Sequence, residues 1–313
     1  MTRAAVFPGQ GSQAVGMGQE LAAAFPIARH TFEEVDEALR QRLSKVMFEG
    51  PESDLTLTEN AQPALMAVSL AVKRVLGQEG GFDLPRHAAF VAGHSLGEYS
   101  ALCAAGTFAI GDAARLLKLR GQAMQRAVPV GDGAMAALLG LEIDVAREVA
   151  EAARQGEVCD AANDNGPGQV VVSGSTAAVE RAVKIAAERG ARRAIMLPVS
   201  APFHCALMKP AALEMAEALG VVAMSAPAVP LIANVTAGPA DDPETIRRLL
   251  VQQVTDLVRW RESVLYMKSE GVDTVVELGA GRVLSGLVKR IDREIALFSV
   301  GTPAEIEAFL KSI

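Results

Sequence analysis

The sequence predicts an α/β fold with a mostly parallel central sheet and a small inserted unit of β-α-β-β-α-β order. Three observations predict it. Short, wholly apolar segments such as Ala88-Ala-Phe-Val-Ala92 alternate with helical stretches, as strands do when crossover helices bury both faces of a sheet. Half of the residues are apolar but only 4% are aromatic, a composition suited to helices packed closely on a sheet. The texture then changes after Pro129, where strands and helices follow the inserted order until about residue 198.

Taken along the chain, residues 3–7 read as a buried strand ended by Pro8 and Gly9. Residues 17–46 and 60–77 read as helices. Residues 88–92 form a second strand that runs into Gly93-His-Ser-Leu-Gly97. Helices follow at 96–105 and 111–127. The next segments are a strand at 133–140, a helix at 143–154, and strands at 157–162 and 169–173 flanking the turn-rich Asn163–Gly168. A helix at 176–189 and a strand at 192–198 complete a ferredoxin-like motif. Residues 129–198 are therefore expected to form an inserted domain, and residues 1–128 with 199–313 the larger one. Beyond Pro202 the spacing predicts a helix at 206–219, a strand at 229–234 and helices at 243–257 and 260–270. Strands at 273–278 and 295–300 bracket a helix at 282–291.

Composition removes several function classes. The formal charge is −7 with no long basic run, so nucleic acid is not an expected partner. Cys103, Cys159 and Cys205 lie far apart and form no CxxC pair, which suggests reduced thiols rather than zinc or a disulfide framework. The N-terminus enters a strand directly, without the pattern of a signal peptide. No apolar stretch approaches the roughly 20 residues of a membrane helix. A cytoplasmic location is the expectation.

The strongest chemical signal is the G-x-S-x-G run. A nucleophile on a strand-to-helix turn exposes its oxygen, and flanking glycines tolerate the crowding there. The turn places Ser95 and the Leu96 N–H at a helix N-terminus, where a developing oxyanion is stabilised. The alternative is an ordinary turn serine capping a helix. A nucleophilic serine needs a base. Of the four histidines, His94 adjoins the serine at a turn where successive side chains diverge. His30 lies on an acidic helix, and His87 precedes a strand. His204 remains, in a loop returning from the inserted unit, as either a base or a structural histidine.

Arg120 falls on the apolar stripe of Ala113, Leu116, Leu117 and Met124. It reads either as one half of an internal ion pair or a snorkelling side chain, or as a clamp for a substrate carboxylate. The Gly9-Gln-Gly-Ser-Gln13 loop lacks the acidic residue of a dinucleotide site and the lysine of a P-loop. Lending a backbone N–H to an oxyanion suits it better.

Together, Gly9–Gln13, Gly93–Gly97 with Glu98 and Tyr99, Arg120, Gly168-Gln-Val-Val171, Phe203-His204 and Glu277–Gly281 resemble malonyl-CoA:acyl carrier protein transacylases. The resemblance runs from the first strand to the last helix. It implies a hydrolase-like α/β domain with a ferredoxin-like insertion. It implies Ser95 as nucleophile, His204 as base, and the backbone N–H groups of Gln10 and Leu96 as the oxyanion hole. Arg120 would hold the malonyl carboxylate, and the Gln253 carbonyl would orient the histidine. Asn165 and Phe203 would line the acyl pocket. The implied reaction is a ping-pong transfer from malonyl-CoA to the phosphopantetheine thiol of acyl carrier protein, with no metal or redox cofactor; a monomer is the expectation. Arg282, Lys289 and Arg290 are either a docking site for an acidic carrier or a solvated helix face. The competing reading is a serine esterase or thioesterase, which requires a carboxylate on the histidine. Asp160 and Asp164 are the acids available by chain order.

Overall fold

The computed structural model describes residues 2–312. It contains a six-stranded and a four-stranded sheet. The strands are β1 (Arg3–Phe7), β2 (Phe90–Gly93), β3 (Gly133–Leu139), β4 (Cys159–Gly166), β5 (Gln169–Ser175), β6 (Arg193–Met196), β7 (Leu231–Ile232), β8 (Pro239–Ala240), β9 (Thr274–Leu278) and β10 (Ala296–Val300).

The larger sheet has the order β10-β9-β1-β2-β7-β8 and is parallel except for the β7–β8 pair. β1 and β9 are central and covered by helices on both faces, so nearly every residue is buried and no polar alternation is present. The helix Thr58–Gly80 passes through the core and packs along Ile110–Ala127. Gly121 permits this contact, since a Cβ there would lie 2.5 Å from the Glu59 Cα. The close approach sets Gln62 of one helix against Arg120 of the other.

The smaller sheet is antiparallel with the order β4-β5-β3-β6, the strand order of a ferredoxin-like motif. The helices Ile143–Arg154 and Thr176–Glu188 cover it and bury their own apolar cluster, including Leu138, Val149, Val172 and Val179. Its edge strand β4 joins the larger unit through Val258, whose N–H donates to the Ala162 carbonyl and whose carbonyl accepts from the Asp164 N–H.

Three segments differ most from the sequence reading, while the helix expected at 243–257 ends at Gln253 and short helices form at Glu52–Thr56 and Leu84–His87. The helix expected at 17–46 is three helices, Gln19–Ala24, Pro26–Leu39 and Leu43–Glu49. Phe25 is extended ahead of Pro26, and Arg40 turns left-handed at φ 49°, so the backbone cannot continue through either point. The turn-rich Asn163–Gly168 is mostly strand, since β4 runs to Gly166 with register shifts that absorb its irregularity. The strand expected at 229–234 is only Leu231–Ile232, because the chain folds back from Ala233 to pair β7 with β8. A final helix, Pro303–Leu310, also forms behind a Thr302/Glu305 capping box. No described helix is long and apolar enough to cross a membrane.

Candidate active site

β2 ends at Gly93, and the chain turns through His94, Ser95 and Leu96 into the helix Gly97–Ala104. Steric crowding dictates the glycines. A Cβ on residue 93 would lie 1.9 Å from the Gly97 carbonyl carbon, and one on residue 97 would lie 2.2 Å from the Phe7 oxygen. Ser95 adopts φ 54°, a left-handed conformation that costs an L-residue about 1–2 kcal/mol. Asn234, just beyond β7, clips this turn. Its Oδ1 accepts from the Ser95 N–H at 2.8 Å, and its Nδ2 donates to the Gly93 carbonyl at 2.7 Å.

The Ser95 Oγ lies 2.8 Å from Nε2 of His204, and His204 Nδ1 lies 2.8 Å from the backbone oxygen of Gln253. A carbonyl can only accept, so Nδ1 carries the proton and Nε2 is the free lone pair. Arg120 Nη2 donates to the same Ser95 Oγ at 3.1 Å, so the serine's own proton is directed at His204. His204 is itself left-handed, at φ 57°. Burial, reinforced by the positive charge of Arg120, lowers its pKa to about 3 and keeps the imidazole neutral. This is a serine–histidine pair oriented by a neutral carbonyl where a triad has a carboxylate.

Arg120 is 1% exposed and forms no ion pair among the described residues. Its partners are neutral: Gln62 Oε1 at 2.9 Å, Gln253 Oε1 at 2.9 Å and the Ser95 Oγ. It also lies 5.7 Å from the ring centre of Tyr99. Its Nε has no acceptor among the described residues. In place of an ion pair, this arginine is a buried cation held by amides beside the Ser95 hydroxyl. Glu98, also buried, forms no ion pair with it but acts on it through space, and Gln253 links the two, its Nε2 donating to Glu98 Oε2 at 2.8 Å. Burial raises the Glu98 carboxyl to about 7, against the pull of its bonds from Gln253 and Asn234.

Ser95, His204 and Arg120 open onto a cavity of about 660 Å³. Gln10, Leu96, Asn165 and Phe203 line it too, so every site residue expected from the sequence borders this cavity except Gln253, which lies behind it. The backbone N–H groups of Gln10 and Leu96 take no acceptor among the described residues. His94 points away from the serine, with Nε2 on Asn165 Oδ1 at 2.8 Å, and burial lowers its pKa. Asp160 bonds to Arg154 and to the Ala206 N–H, not to the histidine.

The acyl transferase domain family matches residues 5–296 of the chain. The chain belongs to that family.

This acyl transferase is 45% identical over 306 residues to the malonyl CoA-acyl carrier protein transacylase of Escherichia coli K12, covering 98% of each chain. It is 44% identical over 309 residues to the corresponding Bacillus subtilis protein, covering 98% of this chain and 96% of that one. It superposes with a TM-score of 0.97 on the crystal structure of an acyl-carrier-protein S-malonyltransferase from Bartonella henselae. That chain is 57% identical, and the match covers 100% of this chain and 99% of the other.

Gln62 and Asn234 have no part in the sequence reading, and Glu98 has no role there beyond its place in the motif. Each nonetheless left a signal. Gln62 is a buried amide within a helix that is otherwise largely apolar, and Asn234 is a polar residue past the carboxyl end of a sheet strand. Arg282, Lys289 and Arg290 are all exposed on or beside the helix Val283–Ile291. Arg282 pairs with Glu305, and Arg290 donates to Gln169. In this acyl transferase no group of three or more His, Cys, Asp or Glu residues could hold a metal ion, among the described residues.

Proposed function

We propose that the protein moves a malonyl group from malonyl-CoA to the phosphopantetheine thiol of acyl carrier protein, through a malonyl ester on Ser95. One observation carries this reading beyond acyl chemistry in general. Arg120 is a buried guanidinium with no carboxylate partner, in contact with the nucleophile. Such a charge is costly unless an anion meets it, and the free carboxylate of a malonyl group is that anion. The relatives' names support the same donor and acceptor.

In this reading His204 takes the Ser95 proton as Oγ attacks the thioester carbonyl. The N–H groups of Gln10 and Leu96 hold the resulting oxyanion. The tetrahedral intermediate collapses with loss of the CoA thiolate, which takes up the proton from His204. The carrier thiol then attacks the ester as His204 takes its proton, and the second tetrahedral intermediate collapses with cleavage of the Ser95 C–O bond, Oγ regaining its proton from His204. Asn165 and Phe203 bound the acyl pocket, and residues 129–198 act as an inserted domain that closes one side of it. The chemistry calls for no metal or redox cofactor. The exposed Arg282, Lys289 and Arg290 are the proposed contact for the acidic carrier, within a monomeric cytoplasmic enzyme.

Intact-mass analysis after mixing with malonyl-CoA tests this. Wild-type protein should gain one malonyl group and pass it to carrier protein, and Ser95→Ala should gain none. Prompt release of free malonate without carrier would assign the protein to the hydrolases instead.

A further inference from the structure

We propose that Glu98 is the positioning residue that holds the nucleophile turn, the base and the arginine in one geometry. This rests on the acyl-transfer reading above and concerns how that site is kept aligned. A single carboxylate oxygen, Oε2, accepts from the Asn234 N–H at 3.1 Å and from Gln253 Nε2 at 2.8 Å. Each partner leads directly to reacting groups. Asn234 bonds the Ser95 N–H and the Gly93 carbonyl. Gln253 presents its backbone oxygen to His204, its Oε1 to Arg120, and its Nε2 to the Ser95 carbonyl at 2.9 Å.

The orientation of the Gln253 amide follows from its two ends. Arg120 can only donate, so Oε1 must face it. Glu98 Oε2 and the Ser95 carbonyl accept at the other end, so Nε2 must face them. A flipped amide would set donor against donor and acceptor against acceptor. Without an acceptor at position 98, this end of the amide keeps the Ser95 carbonyl and a long 3.4 Å bond to Asn234 Oδ1 but loses its 2.8 Å bond to Glu98, and the residue that orients both His204 and Arg120 is loosened. The Asn234 N–H loses its acceptor at the same time, leaving its backbone held by the bond its carbonyl accepts from Arg259. All four residues, Glu98, Asn234, Gln253 and Arg120, are buried, so water does not readily replace a lost bond.

The test compares Glu98→Met, which keeps length and removes the acceptor, with Glu98→Gln, whose Oε1 can accept the same two N–H groups. Single-turnover loading of Ser95 by malonyl-CoA and by acetyl-CoA is measured per titratable active site. Glu98→Met should load malonyl about 100-fold more slowly, the scale of a 1 Å misplacement, with less change in KM. Its malonyl-over-acetyl ratio should fall about tenfold, because Arg120 is released with His204. Glu98→Gln should recover to within about tenfold of wild type. Wild-type rates in Glu98→Met, an unchanged malonyl-over-acetyl ratio, or no recovery in Glu98→Gln would each overturn the assignment. Should Glu98→Met not fold, Asn234→Ala removes both short bonds to the nucleophile turn and, toward Gln253, only the long 3.4 Å one, leaving the 2.8 Å Glu98–Gln253 bond in place. It should slow loading about tenfold at an unchanged ratio, and a fallen ratio overturns the proposal. A wild-type protein that never acquires malonyl on Ser95 overturns the acyl-transfer reading instead, so the two failures are distinguishable.

Discussion

The elements around the parallel sheet bring Ser95, His204 and Arg120 to the cavity, whereas the antiparallel sheet meets the same space with Met135, Asn163, Asn165 and Val171. The contrast follows from topology. Parallel strands end together at one edge, where strand-to-helix turns converge with their free N–H groups and reactive side chains. An antiparallel sheet presents a face instead, with alternate residues projecting as a wall. Asn163 and Asn165 reach the cavity from β4, while Asp164 between them is buried near Val258. One region carries the charge and the serine–histidine pair, and the other carries shape and neutral polarity. Chemistry and acyl-group size should therefore be separable by mutation.

The largest effect is expected on the charged side. Arg120→Ala removes the only cation in contact with Ser95 among the described residues. Malonyl loading should fall by about 10²–10³-fold, as expected when the partner of a buried charge is removed, while acetyl loading falls far less. Retained preference for malonyl over acetyl, measured as the ratio of kcat/KM values, would take Arg120 out of substrate selection and collapse the contrast.

A smaller effect is expected on the wall. Val171 is buried on β5 and borders the cavity. Val171→Ala opens space for roughly two methyl groups. The methylmalonyl-over-malonyl ratio of kcat/KM should rise about tenfold, at the low end of what one methyl group is worth in a fitted pocket. The carboxylate preference set by Arg120 should not move. A ratio that stays at the wild-type value would mean that the antiparallel sheet does not gauge the acyl group.

The two regions also differ in how much of them the sequence discloses. The Gly93–Gly97 turn is legible because its constraint is local: backbone crowding admits only glycine at both ends. Arg120 is legible as a fault in a helical apolar stripe, but its partners are not. Gln62 lies 58 residues away and Gln253 lies 133 residues away, and a lone buried amide leaves no periodic mark. The β4 wall is misread as a turn because Asn, Asp and Gly dominate Asn163–Gly168. Only its pairing with β5, and the shifts that accommodate those residues, make it a strand. The breaks in the helix at 17–46 fall at Pro26, where a proline rule applies, and at Arg40, where none does.

The smallest effect lies where the two regions meet. The helix Val283–Ile291 belongs to the larger unit, yet Arg290 donates to Gln169 of β5 and Ile291 packs against Gly166 of β4. Its N-terminal side starts beside Gly281, where a Cβ would lie 3.4 Å from that of Ser12, in the loop whose Gly11 borders the cavity. A carrier seated on this helix would thus deliver its arm across the boundary between chemistry and wall. Arg282 is already paired with Glu305, whereas Lys289 has no bonded partner among the described residues, so the free positive charge sits nearer the helix C-terminus. Charge reversal in Lys289→Glu with Arg290→Glu should raise KM for carrier protein about fivefold at low salt, as rim charges act on encounter. The difference should shrink at 0.5 M salt, where the Debye length falls to about 4 Å. Malonyl-CoA loading of Ser95 should not change, because neither residue borders the cavity. An unchanged KM for carrier protein at low salt would remove this helix from docking and leave carrier recognition to another face of the mouth.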